Sequence, residues 1–285
     1  MSNILLSLNR HVATLQNGSV QIKVDVSHGA RIISFSHQDV EILTQPTDHA
    51  ENFGSTMWDA PQSRWKWPPP TALDSEPYAE HVAGDVLECT SAVDRASGLQ
   101  FWKRIRPLPT AAVEIEYGIK NAGPLPITTA AWEITRTPAG LTFVPATQLA
   151  VAAESTLPAI QFTDNHAWYT VDPAPLEIGK KAFFDVSAGW LAHVTPNRQL
   201  FIKSFAPLKP KQYSPGHAAV EVYAHIAGAY VELENHGPRT TLQPGQSLKY
   251  AVRWFAQSIP DDMVVKIGNQ VLIDLAQEIL DTEKS

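Results

Sequence analysis

Apolar and polar residues alternate strictly over Val20-Gln-Ile-Lys-Val-Asp-Val26, and again over Val113-Glu-Ile-Glu-Tyr117. A period of two puts every apolar side chain on one face, so both segments predict half-buried strands. Further strand patterns run from Ala30 to Ser36, Val86 to Ala92, Phe101 to Arg106, Thr128 to Thr135, Ala182 to Val186 and Gly189 to Val194. Four more follow, at Leu200 to Phe205, Val220 to Ile226, Tyr230 to Glu234 and Leu248 to Phe255. Turn chemistry such as Asn121-Ala-Gly-Pro124 and Gln243-Pro-Gly-Gln246 separates them. Only Asp261 to Asp281 has helical spacing, with Val264, Ile267, Val271, Leu275 and Ile279 on one face behind an Asp-Asp start. Many short antiparallel strands and one terminal helix predict an all-β sandwich or barrel. With no internal repeat and no Gly/Ser-rich linker, one domain over residues 1–285 is expected.

One segment breaks the pattern. Asn52 to Pro70 carries three of the eight tryptophans, Trp58, Trp65 and Trp67, among Gly, Ser and Pro residues. Such a segment is expected to be a loop rather than a helix or an inner strand. Indoles on a loop can wall a flat, hydroxyl-rich ligand, or can fold back and plug the core; both readings stay open.

Composition narrows the partners. A net charge of −7 and a pI near 5.8 argue against nucleic acid, whose binders usually present a basic surface. The apolar runs are too short for a membrane span, and the N-terminus lacks a signal-peptide pattern, so a cytoplasmic location is expected. Cys89 is the single cysteine, so no internal disulfide can form. Small-molecule or protein partners remain.

The densest chemistry lies in the hairpin from Val220 to His236. Glu221, Tyr223 and His225 occupy one face of its first strand, and Tyr230, Glu232, Glu234 and His236 occupy one face of its second. Matching apolar to apolar across the pair places His225 opposite Glu232, Tyr223 opposite Glu234 and Glu221 opposite His236. Such a face can do general acid and base chemistry, or can be a solvated surface of cross-strand ion pairs. Metal binding is a third option, since the His and Glu residues could supply ligands, but no zinc-type spacing occurs and Cys89 stands alone, so neither metal nor cofactor is expected.

The Asn52 to Pro70 segment, His28-Gly-Ala-Arg-Ile-Ile33, Tyr230-Val-Glu-Leu-Glu-Asn-His236 and Leu242-Gln-Pro-Gly-Gln246 together resemble the galactose-mutarotase-like (aldose 1-epimerase-like) superfamily. The tryptophan and proline segment is most similar to a bacterial family of unassigned function within it. The resemblance covers about residues 17–258 and implies an antiparallel β-supersandwich with a sugar-binding concave face. It implies a small-molecule carbohydrate as partner. It also implies that Glu232, with Glu234 in reserve, takes the proton from the anomeric hydroxyl before the ring opens. Mutarotases supply the acid from a histidine motif on a middle strand, but the corresponding Ala131-Trp-Glu-Ile-Thr-Arg136 contains none. His225, Lys203 and Arg136 are therefore the candidate acids, unless the chain binds sugar without converting it.

Arg31, Trp58, Gln62, Trp65, Trp67, Trp132, Arg136, Lys203, Glu221 and Tyr223 complete the expected substrate-binding set. Arg31 at a strand start reads more readily as a surface ion pair, and Trp132 reads equally as core. Trp168, Trp190 and Trp254 are expected in the core, and His217 in an exposed or lid-like loop. A phosphorylated substrate would draw on Arg31, Arg64, Lys66 and Arg136.

Overall fold

The computed structural model describes residues 4–151, 155–170, 179–226 and 228–283. Within them the chain forms two antiparallel sheets of eleven and ten strands, with a helix at Gln270–Thr282. The path of the first sheet is Ile4–Asn9, Val12–Asn17, Val20–Asp25, Arg31–His37, Ser55–Ala60, Ile127–Thr137, Val231–His236, Val220–Ala224 and Lys180–Phe184. The second is built around the long strands Leu99–Leu108, Ala112–Asn121 and Ser247–Ser258. This is the expected all-β supersandwich with a C-terminal helix.

Alternation sets the core. Val20, Ile22 and Val24 face inward from one sheet and meet Ile115, Tyr117 and Val252 from the other, all buried in one cluster. A second cluster forms on the far side of the second sheet, where Leu272, Ile273, Ala276 and Leu280 of the helix cover Phe143, Trp168, Trp190 and Phe255. Burying each of those Leu and Ile side chains contributes roughly 1.5–3 kcal/mol. The helix is shorter than its sequence pattern: Asn269 caps it through Val271 N, leaving residues 261–266 irregular. Trp168, Trp190 and Trp254 are all core residues, as expected.

The segment expected to be a loop is an inner strand in part. Ser55–Ala60 is buried at every position and pairs along its length with Ile127–Thr137. Two signals hid it. Both faces are covered, Met57 by the core and Trp58 by other indoles, so no alternation shows. Gly54 and Pro61 flank it and mimic loop chemistry, yet Gly54 is needed for its positive φ of +63° and because a Cβ there would lie 2.2 Å from the Ile32 carbonyl oxygen. Beyond Ala60 the chain does turn irregular, through a short 3-10 helix at Gln62–Arg64.

The hairpin register also differs from the expected one. Glu221 lies opposite Glu234 and Tyr223 opposite Glu232, a slip of two residues. A two-residue slip keeps every side chain on its own face, so the apolar pattern cannot distinguish the registers. No helix among the described residues is long and apolar enough to cross a membrane.

Candidate functional site

The site lies on the first sheet, on the face turned away from the core. Ile127–Thr137, Val231–His236 and Val220–Ala224 are adjacent strands, so Trp132, Arg136, Glu232, Glu234, His236, Glu221 and Tyr223 share that face. Strand pairing thus gathers residues a hundred positions apart. Lys181 enters from the edge strand Lys180–Phe184, and Trp58 from Ser55–Ala60.

Two charge clusters form. In the first, Arg136 Nε donates to Glu232 Oε1 at 2.8 Å, while the guanidinium sits 5.6 Å from the Trp58 ring and 5.8 Å from the Tyr230 ring. Arg136 is fully buried and its Nη1 has no hydrogen bond. Glu232 is 8% exposed and reaches the open side. Tyr223 and Tyr230 border it, and burial pushes the Tyr230 phenol up to about 12.

In the second cluster Lys181 Nζ bridges two buried carboxylates, 2.7 Å from Glu221 Oε2 and 2.9 Å from Glu234. Trp132 Nε1 also donates to Glu234 at 2.6 Å. Burial opposes the Lys181 charge, but Glu234 and Glu221 outweigh it and raise its pKa. Burial likewise raises Glu234 well above the usual carboxylate range, with Lys181 opposing and Glu221 and Glu232 adding. Glu221 goes the other way: burial would raise it, but Lys181 and His236 charges and the two histidine contacts hold it well below. His217 Nδ1 and His236 Nε2 lie 2.7 and 2.8 Å from its Oε1. Burial pushes His236 down to about 4, against the pull of Glu221. Three possible metal donors thus lie within 4.8 Å of one another.

An aromatic wall closes one side. Trp58 is its hub, in edge contact with Trp65, Trp67 and Trp132 at centroid distances of 5.7, 5.5 and 5.3 Å. Its Nε1 is fixed by Asp74 at 2.7 Å, and Asp74 also faces Arg31 at 3.7 Å. Trp58 and Trp132 are buried, so the indoles largely cover one another; Trp67, at 57% exposure, offers a free ring.

Not every expected residue arrives. Lys203 is fully buried on the other side of the sheet, 3.1 Å from Glu133 and bonded to Thr135 Oγ1 and the Leu233 carbonyl. It is therefore removed from the site. Its strand, Gln199–Phe205, already said so: Lys203 shares a face with Phe201 and Phe205, both core. Gln62 is exposed on the 3-10 helix at the wall's edge. Arg64 is taken up by Asp59 at 3.5 Å and the Thr128 carbonyl, and Lys66 is exposed. Arg31 is buried, with Nη1 on the Glu51 carbonyl.

His225 stacks on Tyr230 at 4.6 Å with His49 edge-on at 5.3 Å. It is a diagonal rather than direct neighbour of Glu232, and burial together with His49 lowers its pKa against the pull of Glu232. Sequence reasoning did not place Lys181, Asp74 or His217 in the site. Lys181 precedes the apolar run that marked its strand, while Asp74 and His217 reach the site from irregular or very short segments. One cavity of about 630 Å³, lined by Gly140, Leu141, Val194, Arg198 and Lys266 among others, lies elsewhere and contains none of the candidate residues.

Solved structures place this geometry in a known fold. A galactose mutarotase-like protein from Lactobacillus casei matches with a TM-score of 0.58 at 9% identity, over 90% of this chain and 100% of that one. A galactose mutarotase related enzyme from Lactobacillus acidophilus matches with a TM-score of 0.57 at 10% identity, over 93% and 100%. The fold is galactose-mutarotase-like. The same fold forms part of a longer TPR-domain containing protein from Parabacteroides distasonis, matched with a TM-score of 0.60 at 13% identity over 95% of this chain but only 55% of that one. No family model and no curated protein matches the chain. At these identities the likeness concerns the galactose-mutarotase-like fold alone, and any chemistry has to be argued from the residues on its exposed sheet face.

Proposed function

We propose that the chain is a carbohydrate-active protein of aldose 1-epimerase type, with Glu232 as base toward a monosaccharide or sugar derivative. The observation that carries this reading is the setting of Glu232: a carboxylate at the open edge of a buried ionic face, fixed by Arg136 and flanked by aromatic rings. Among the described residues only its Oε1 is hydrogen-bonded, which leaves Oε2 to accept the proton of an anomeric hydroxyl. Loss of that proton lets the bond from the anomeric carbon to the ring oxygen break. The ring oxygen takes a proton, and the aldehyde recloses on either face.

His225, on the same face, is the candidate acid. Arg136 holds the carboxylate in place through its 2.8 Å hydrogen bond. The exposed ring of Trp67 supplies a stacking surface for the sugar. Solved neighbours named for galactose mutarotase support the same substrate class.

A second reading, sugar binding without turnover, is favoured by one observation. Of the three expected acids, Lys203 lies in the core and Arg136 is taken up by its ion pair with Glu232. Both readings are tested by adding single-anomer sugars and following anomer exchange by NMR. Epimerase action predicts acceleration over buffer and a loss of roughly 100- to 10,000-fold in Glu232→Gln. Saturable shifts of sugar resonances with no acceleration for any sugar would replace the first reading with the second.

A further inference from the structure

We propose that His217, Glu221 and His236 form a binding site for a divalent transition-metal ion. The three residues come from the loop before Val220–Ala224, from that strand, and from the end of Val231–His236. Glu221 Oε1 is 2.7 Å from His217 Nδ1 and 2.8 Å from His236 Nε2. Two donors at right angles on an ion with bonds of about 2.0–2.1 Å stand roughly 2.9 Å apart, whereas tetrahedral donors stand about 3.4 Å apart. The two carboxylate-to-imidazole spacings therefore suit adjacent positions on an octahedral ion better than tetrahedral ones, and all three donors lie within 4.8 Å of one another.

His236 supplies the second, independent observation. It is 1% exposed, its Nδ1 has no hydrogen bond, and the one group beside its Nε2 is the shared Glu221 carboxylate at 2.8 Å. A buried imidazole short of partners costs about 1–3 kcal/mol, and an ion on Nε2 would add a partner to the ring. The ring cannot swing away to find another partner, because it is stacked on Trp132 at 5.4 Å and packed 4.5 Å from His217.

Two imidazoles and one carboxylate select among ions. The set matches the facial arrangement used for Fe²⁺ and is also suited to Zn²⁺, Co²⁺ or Ni²⁺, while Ca²⁺ and Mg²⁺ favour oxygen-only shells. Lys181 holds the other oxygen of Glu221 at 2.7 Å, the outer-sphere contact that keeps a ligand carboxylate oriented. His217 is the partly exposed member and provides the way in. Neither Glu232 nor Arg136 takes part, so the proposal stands or falls apart from the sugar reading.

The test uses untagged full-length protein, stripped with chelator and dialysed. Titration with Co²⁺, followed by visible absorption, and with Zn²⁺, followed by calorimetry, is expected to saturate at one ion per chain. Glu221→Gln and His236→Ala should each weaken binding by at least the roughly 100-fold that outer-shell losses can reach. His217→Ala, at the partly exposed position, should do the same and serves if the buried variants fail to fold. His81→Ala, on an exposed strand away from the cluster, should bind as wild type. Absence of saturable binding by either ion, or equal binding in His217→Ala and wild type, overturns the proposal.

Discussion

Removing the Lys203 ammonium asks whether that residue belongs to the core or to the site. Lys203 and Glu133 are both fully buried and lie 3.1 Å apart between the sheets. Glu133 also accepts from Tyr117 Oη at 2.7 Å and Trp254 Nε1 at 3.1 Å, and Lys203 ties Thr135 and Leu233 of the site strands together. Lys203→Met keeps the stem and deletes the charge, stranding the carboxylate. Breaking one side of a buried pair costs about 3–5 kcal/mol. For 285 residues the unfolding entropy is roughly 0.6 kcal/mol/K, so the loss is about 5–8 °C in Tm. Lys203→Met/Glu133→Gln should recover much of it, with a coupling of roughly 0.5–3 kcal/mol in the double-mutant cycle. Urea unfolding with a constant m-value is the assay. A Lys203→Met protein within about 1 kcal/mol of wild type would refute the argument. If it had also lost anomer exchange, Lys203 would have to act at the site after all.

Three further outcomes are expected. Burial pushes His193 down to about 4, and its neutral ring is satisfied by Thr142 Oγ1 at 2.9 Å and the Pro138 carbonyl at 3.0 Å. Because the folded pKa is below the unfolded one, its stabilisation is complete above about pH 6.5 and is lost as pH falls toward 4, by roughly 3 kcal/mol. His193→Gln should flatten the stability profile in that window relative to wild type; unchanged slopes would contradict this. Gly54→Ala should lower the unfolding free energy measured in urea by at least about 2 kcal/mol, since it adds left-handed strain to a collision with the Ile32 carbonyl. Gly84→Ala, with a similar φ but open space around it, should cost less, and equal losses would show that sterics are not the cause.

The sequence carries the fold wherever a single face is buried. Val20–Asp25 announces itself because its inward positions are all apolar and its outward ones polar. Ser55–Ala60 does not, because a strand covered on both faces loses its period and its flanking Gly and Pro look like a turn. The candidate face was legible in part for the same reason. Parity put Glu221, Tyr223, Glu232 and Glu234 together in either register, while the two-residue slip was invisible to it. Lys203 was misplaced because its charge outweighed its position among inward-facing residues, although the alternation of its own strand pointed to the core. Lys181 and His217 needed tertiary structure. Nothing local says that an edge strand and a loop will converge on Glu221.

The most direct test of the central claim is a two-dimensional NMR titration of the tryptophan indole N–H resonances with a panel of monosaccharides. Saturable shifts are expected at Trp67, Trp58 and Trp132, which belong to the wall and floor of the Glu232 face, and none at Trp168, Trp190 and Trp254, which are core. Shifts confined to the core indoles, or no shift with any sugar, would contradict it.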